Sequence, residues 1–339
     1  MTPLILGVAG PELTADERAL FRGADPAGFI LFGRNIETPP QLRALTASLR
    51  DLTGRDHVPI LIDQEGGRVA RLGPPHWHAH PPAARFGDLF AKAPMTALEA
   101  ARLHGMAMGR ELRDAGIDVT CAPVLDLRHD ATHVAIGDRA FARDPRAVAG
   151  LGRAVLRGLA SAGVHGVLKH MPGQGRATAD SHHVLPVVDA DRAQLAEDFA
   201  AFDAVSDAGI GMMAHVRYMA LDERHCASQS EKVIREIVRG EIGFGGLLLS
   251  DDIAMDALTG DMPHRMANVL SAGCDLALYG GGDFDIAAAL CQMAPAMTDA
   301  ATSHLRKIAD PPMTESTTDM HVEPDAAARR DDLLAFLEA

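Results

Sequence analysis

The sequence has few cysteines and no paired cysteine motif. Four cysteines occur among 339 residues, at Cys121, Cys226, Cys274 and Cys291, and no two of them form a Cys-x-x-Cys pair. Scattered thiols are typical of small apolar core residues in a reducing compartment, rather than of disulfides or a zinc site. We therefore expect structural thiols.

The sequence also lacks an excess of basic residues. It has 32 Lys and Arg against 46 Asp and Glu, a formal net charge of -14, and no dense Lys/Arg run offsets this locally. Such a charge repels phosphate backbones and anionic lipids. The composition therefore disfavours nucleic acid and membrane surfaces as partners.

Long apolar runs are missing as well. No run approaches the roughly 20 apolar residues that a membrane span needs. The opening MTPLILGVAG lacks the basic region of a signal peptide, is too short for one, and is interpreted as a strand. Together with the thiols, this predicts a cytoplasmic protein.

What the sequence does contain is a repeated alternation of short apolar runs with amphipathic stretches. Eight such runs occur, at 3–8, 28–32, 59–63, 117–124, 164–169, 210–215, 246–250 and 274–279. Between them, apolar residues recur in steps of three and four that mark one buried helix face. Thr14 with Glu17, and Thr96 with Glu99, have capping-box spacing. The eightfold alternation favours an α/β fold, a single (β/α)8 TIM-type barrel, with a doubly wound sheet as the alternative.

The last 29 residues follow a different pattern. Residues 311–339 are polar and proline-interrupted, and they end in RRDDLLAFLEA, which resembles a short amphipathic helix. We predict a catalytic barrel domain over residues 1–310 and a C-terminal tail over 311–339. Whether that tail docks on the barrel, mediates self-association or frays stays open at this point.

Polar residues crowd the predicted carboxyl ends of the strands. The residues concerned are Asp63, Gln64, Glu65, Asp126, Lys169, His170, His215, Asp251 and Asp252. In a barrel these ends meet at one mouth, where the active site is expected. A ring of polar groups there is explained more easily by a polar ligand than by packing.

Two segments indicate acid/base and nucleophilic chemistry. Asp180 lies two residues before His182, so its carboxylate can orient the imidazole and raise its pKa, as suits a general acid/base. Asp251 and Asp252 follow a buried strand, and one of them is expected to face the mouth. A solvated histidine and a helix N-cap aspartate are the alternatives.

Seven motifs in one order then identify a family resemblance. They are GFILFGRN at 28–35, IDQEGGRVARL at 62–72, CAPVLDL at 121–127, IGDRAF at 136–141, KHMPGQGRATADSHH at 169–183, AHV at 214–216 and LSDDIAM at 249–255. Over roughly residues 1–300 the chain resembles the glycoside hydrolase family 3 β-N-acetylglucosaminidases, including their peptidoglycan-recycling branch.

The resemblance implies a retaining exo-β-N-acetylhexosaminidase that acts on cell-wall muropeptide fragments and needs no cofactor or metal. Asp251 would be the nucleophile, and His182, oriented by Asp180, the acid and then the base. The residues implied to bind N-acetylglucosamine are Asp63, Arg71, Arg139, Lys169 and His170. Retaining hydrolysis requires a carboxylate nucleophile and a proton donor, which this set supplies. The oligomeric state stays open, a monomer included.

The chain departs from the family pattern at Gln174, where the family more often has histidine. A neutral imidazole as acid/base would also admit phosphate in place of water, so phosphorolysis is kept as a minor activity. Two other functions are weighed. One is a metal-dependent barrel hydrolase with Asp63, His170, His215 and Asp251 as ligands; the other is a binding protein that has lost turnover.

Overall fold

Ten strands organise the chain in the computed structural model, which describes residues 1–55, 57–309, 312 and 325–338. They are β1 (Thr2–Gly7), β2 (Pro26–Leu31), β3 (Ile60–Ile62), β4 (Val119–Thr120), β5 (His165–Met171), β6 (Val187–Val188), β7 (Ile210–Met213), β8 (Arg217–Tyr218), β9 (Leu247–Asp252) and β10 (Leu276–Tyr279). Eight of them close a parallel barrel in the order β1-β10-β9-β7-β5-β4-β3-β2. The predicted (β/α)8 barrel is therefore confirmed.

Helices connect the strands and cover the outside of the barrel. They are α1 (Ala15–Ala24), α2 (Pro39–Thr53), α3 (Ala83–Lys92), α4 (Pro94–Asp114), α5 (Pro145–Ser161), α6 (Arg192–Asp203), α7 (Met262–Ala272), α8 (Phe284–Met293), α9 (Asp299–Lys307) and α10 (Ala326–Leu334). A π-helix, Val233–Glu241, fills the connection between β7 and β9. Within the described part of the chain, no helix has the length and apolar character to cross a membrane.

The strands divide the core into two layers because successive side chains point to opposite faces. One buried cluster includes Ile5, Leu61, Val167 and Leu276 and fills the barrel interior. A larger cluster joins the outer strand faces, such as Leu4, to the helices. The interior is thus closed by side chains, and a ligand is admitted only at the ends of the strands.

Two details differ from the predicted strands. The run at 117–124 yields a strand of two residues, because Pro123 has no backbone N–H to continue the ladder. Val124 keeps a single bridge to Lys169. The pair β6 and β8 was not predicted, and it forms a two-stranded sheet outside the barrel.

The C-terminal helix α10 lies against α4 and α3. Its Arg330 is buried, with 1% of its surface exposed, and donates a hydrogen bond to His80 Nδ1 over 2.8 Å. The sequence left open whether the tail docks on the barrel, mediates self-association or frays. In the structure, helix α10 docks on the barrel. The predicted division after residue 310 lies outside the described residues and stays a prediction.

Candidate active site

One cavity opens at the carboxyl ends of the barrel strands, with a volume of about 250 Å³. Its apolar floor is formed by Ile30, Met212 and Leu278, which belong to strands β2, β7 and β10. All eight predicted site residues line this cavity: Asp63, Arg71, Arg139, Lys169, His170, Asp180, His182 and Asp251. The barrel thus brings together residues that are up to 188 positions apart in the sequence (from 63 to 251).

Asp251, the last residue but one of β9, lies in surroundings that favour its charged form. Burial by itself raises the pKa of Asp251, but charge on His170 and His215 lowers it. The Asp252 amide donates to Asp251 Oδ1 over 2.9 Å, and the Lys169 ammonium adds to the effect. The pKa therefore lies below its usual range, so Asp251 is an ionised carboxylate at neutral pH.

The adjacent Asp252 also lines the cavity, but its carboxylate is held by loop backbone. Its Oδ1 accepts hydrogen bonds from the amides of Ala254 and Gly280, over 2.9 and 3.0 Å. Burial raises the pKa of Asp252, and the neighbouring Asp251 adds to the rise. Of the two carboxylates, Asp252 thus fixes the loops that follow β9 and β10.

A buried ion network lies beside the cavity and centres on Glu65, which was not among the predicted site residues. Glu65 accepts two hydrogen bonds from Arg139, each 2.8 Å long, and its Oε1 lies 2.7 Å from Lys169 Nζ. Lys169 also lies 3.2 Å from Asp63. Burial raises the pKa of Glu65, but Arg139 and Lys169 outweigh burial and hold it well below the usual range. Glu65, Arg139 and Lys169 are therefore held charged and in place.

Arg71 completes the polar wall of the cavity. Its Nη2 donates to Asp63 over 3.2 Å, and its guanidinium lies 5.6 Å from the centre of the Phe32 ring. Its Nε is buried and has no hydrogen-bond partner among the described residues. A buried donor without a partner is costly, so this atom marks a place for a polar ligand.

His170 is oriented by a second residue that was not on the predicted site list, Asp126. The Asp126 Oδ2 lies 2.7 Å from His170 Nδ1, and Oδ1 accepts the amides of His170 and Gln174. Asp126 is fully buried. Because Nδ1 is occupied, Nε2 is the ring nitrogen of His170 left for a ligand.

His182 sits on the loop after β5, and most of its side chain is exposed. Its Nδ1 lies 2.8 Å from Asp180 Oδ1, which also accepts the His182 amide. Burial raises the pKa of Asp180, but these hydrogen bonds outweigh burial and leave it lowered. Two backbone hydrogen bonds, Ala257 N–H to the Ser181 carbonyl and Asp256 N–H to the His182 carbonyl, tie this loop to the loop after β9.

Of the four alternative metal ligands, Asp63, His170 and Asp251 line the cavity, but His215 does not join them. His215 has both ring nitrogens occupied, Nδ1 by Ser228 Oγ at 2.7 Å and Nε2 by the Asp252 carbonyl at 3.1 Å. Burial lowers the pKa of His215. Over residues 1–55, 57–309, 312 and 325–338, no group of three or more His, Cys, Asp or Glu side chains is arranged to hold a metal ion.

A larger cavity, of about 830 Å³, lies at the opposite end of the barrel beside Gly209 and Gly246. Among the described residues that line it, Asp207 is the only carboxylate, and it is paired with Arg153. Catalysis by a carboxylate and an acid/base therefore points to the smaller cavity.

Comparisons with known proteins agree with this geometry. Residues 6–302 match the model of the glycosyl hydrolase family 3 N-terminal domain. A β-hexosaminidase of Chromobacterium violaceum is 38% identical over 96% of this chain and 92% of its own length. One of Bordetella avium is 39% identical over 81% of this chain and 79% of its own.

Solved structures are also similar to this chain. NagZ from Neisseria gonorrhoeae, in complex with N-trifluoroacetyl-D-glucosamine, superposes with a TM-score of 0.88 at 30% identity, covering 100% of this chain and 98% of its own. A family 3 β-N-acetylglucosaminidase of Paenibacillus superposes with a TM-score of 0.85 at 28% identity, over 98% of this chain and 66% of its own.

Proposed function

Because the chain belongs to glycoside hydrolase family 3 and is a glycosidase of the β-N-acetylhexosaminidase type, we propose that it removes terminal β-linked N-acetylglucosamine with retention of configuration. The observation that carries this proposal is one small cavity lined by both an ionised Asp251 and the His182–Asp180 pair. A retaining glycosidase needs these two functions on one sugar-sized site.

The first chemical step uses both groups. Asp251 attacks the anomeric carbon while the glycosidic bond breaks, and His182 gives a proton to the leaving oxygen. Since Asp180 occupies Nδ1, the proton leaves from His182 Nε2. The products are the aglycone, released as a free alcohol, and an α-linked glycosyl ester on Asp251.

The second step reverses these roles. His182, now neutral, takes a proton from water, the water oxygen attacks the anomeric carbon, and the ester bond to Asp251 breaks. Asp180 stabilises the imidazolium that forms in this step. The sugar leaves as the β-anomer, and both groups return to their starting states.

The remaining residues are proposed to hold the sugar. Around the cavity, Asp63 offers acceptors, and donors come from Arg71, Arg139, Lys169 and His170. Because ion pairs already hold most of these side chains in place, positioning the sugar requires little reorganisation of the site. The small cavity suits one hexosamine ring, which supports exo-action on a chain end.

We further propose muropeptide fragments as the natural substrates and the cytoplasm as the place of action. The structural neighbour NagZ, bound to an N-acylated glucosamine, supports the amino sugar. All four cysteines are free thiols, three of them buried, which supports a reducing compartment.

The test is release of p-nitrophenol from its N-acetyl-β-D-glucosaminide. Asp251→Asn is expected to lower kcat by about 10³-fold or more, since it removes the nucleophile while keeping its shape. Asp256→Asn, an exposed change on the same loop, is the matched control and should keep wild-type rates. EDTA should have no effect, and added phosphate should yield at most a minor sugar phosphate.

Retention is tested separately by following the first-formed sugar anomer with proton NMR. The β-anomer is expected first. The α-anomer first would overturn the double-displacement mechanism, and a wild-type protein inactive on both this substrate and a muropeptide would favour the binding role instead.

A further inference from the structure

Gln174 has a side chain that the mechanism above does not use. It lines the catalytic cavity, yet only 4% of its surface is exposed. Its backbone amide donates to Asp126 Oδ1 over 2.6 Å, and its Nε2 donates to Ser181 Oγ over 3.2 Å. Its Oε1 is buried and has no hydrogen-bond partner among the described residues.

A buried amide oxygen without a partner needs an explanation, because buried polar atoms are nearly always hydrogen-bonded. The neighbouring donors are already committed: the Gln174 amide and the His170 ring nitrogen Nδ1 both bind Asp126. Gln174 lines the cavity, and the proposed occupant of that cavity, a sugar, carries several O–H donors and one amide N–H.

We propose that Gln174 Oε1 accepts a hydrogen bond from the glycone of the substrate and is a specificity-determining residue of this enzyme. This inference rests on the proposed function of the site. The glycone, rather than the aglycone, is the partner because Gln174 lies at the depth of Asp126 and His170, which are 0% and 5% exposed. The aglycone leaves through the rim near His182, where side chains are exposed.

The same amide also connects the sugar to the acid/base loop. Its Nε2 binds Ser181, the residue before His182, and the Ser181 carbonyl accepts the Ala257 amide. A sugar held by Oε1 thereby fixes one residue that links the donor loop to the loop after β9. Filling the glycone site and placing His182 are therefore coupled through one side chain.

The experiment compares wild type with Gln174→Met, a change of similar size without hydrogen bonding. The substrates are p-nitrophenyl N-acetyl-β-D-glucosaminide and four analogues, each lacking the polar group at C2, C3, C4 or C6. On the parent, kcat/KM should fall about tenfold in the variant. On the one analogue that lacks the group bound by Gln174 Oε1, wild type and variant should have equal kcat/KM. On the other three analogues the tenfold difference in kcat/KM should remain.

Ser181→Ala is the matched control, because it removes the Nε2 bond and leaves Oε1 in place. Its effect should be the same on all five substrates. An equal penalty for Gln174→Met on every analogue, or no penalty at all, would overturn the proposed contact. If wild type does not hydrolyse the parent substrate, the proposed function fails. The contact is then tested by calorimetry, which compares the binding of N-acetylglucosamine and its four deoxy analogues to wild type and to Gln174→Met.

Discussion

Glu65→Gln is expected to destabilise the protein strongly, although Glu65 takes no part in the proposed chemistry. The carboxylate neutralises two buried cations, Arg139 and Lys169, through contacts of 2.7 to 2.8 Å. Removing one partner of a buried ion pair costs about 3–5 kcal/mol, because the other charge is left uncompensated. We expect the lower end, about 3 kcal/mol, since Asp63 still lies 3.2 Å from Lys169.

That loss corresponds to a Tm lower by about 4 °C, taking an unfolding entropy of about 2.1 cal/mol/K per residue. Scanning calorimetry at one scan rate and pH 7 measures it. Asp207→Asn is the matched control: it breaks an ion pair in which the carboxylate is 69% exposed, and its Tm should change by less than about 1 °C. An unchanged Tm for Glu65→Gln would refute the reasoning.

The pH dependence gives an independent check on the same pair of proteins. The pKa of Glu65 is lower in the folded protein than in the unfolded chain, so its stabilisation is fully present above the unfolded value. The difference in Tm between wild type and Glu65→Gln should hold from pH 7 to pH 5. It should narrow once the pH falls below the ordinary glutamic acid pKa of about 4.3.

Three further substitutions test other parts of the structure. Asp126→Asn should lower kcat/KM in the glucosaminide assay by about 10²-fold, because the imidazole that it orients is misplaced; an unchanged value would contradict an orienting role. Gly175→Ala would place a Cβ 1.8 Å from a backbone carbonyl oxygen and should cost about 1–3 kcal/mol in calorimetry, whereas Gly10→Ala, with open space around it, should not. Arg330→Met leaves the buried His80 nitrogen without its donor and should cost about 1–3 kcal/mol in the same measurement; a Tm equal to that of wild type would show that the C-terminal helix is not anchored there.

Local signals in the sequence were informative where one interaction dominated. The Thr14–Glu17 capping box is present at the start of α1, as its spacing predicts. The same spacing at Thr96 and Glu99 was wrong as a helix start, because Pro94 already occupies the first turn of α4. Proline at a first helical position outweighs a capping motif two residues later, since its fixed φ starts the helix.

The barrel and its mouth were predictable because each polar residue follows an apolar run, and parallel strands align their carboxyl ends. The pairing of Glu65 with Arg139 and of Asp126 with His170 was not. Those contacts join residues 74 and 44 positions apart, and no periodic pattern encodes which charges meet across a closed sheet. The one signal in the sequence for Glu65 and Asp126 is that each follows a predicted strand, and residues with other roles share that position.

The two hydrogen bonds between the His182 loop and the loop after β9 involve backbone atoms, so they do not depend on which side chains these loops carry. The bonds join main-chain N–H groups of Asp256 and Ala257 to carbonyl groups of His182 and Ser181, so they connect the loop of the proposed acid/base to the loop after Asp251 whatever side chains flank them. The side chains of His183 and Asp256 are exposed. His183, which follows the proposed acid/base, is therefore suited to directed evolution of leaving-group preference, since side-chain diversity there leaves the backbone link between the two loops unchanged.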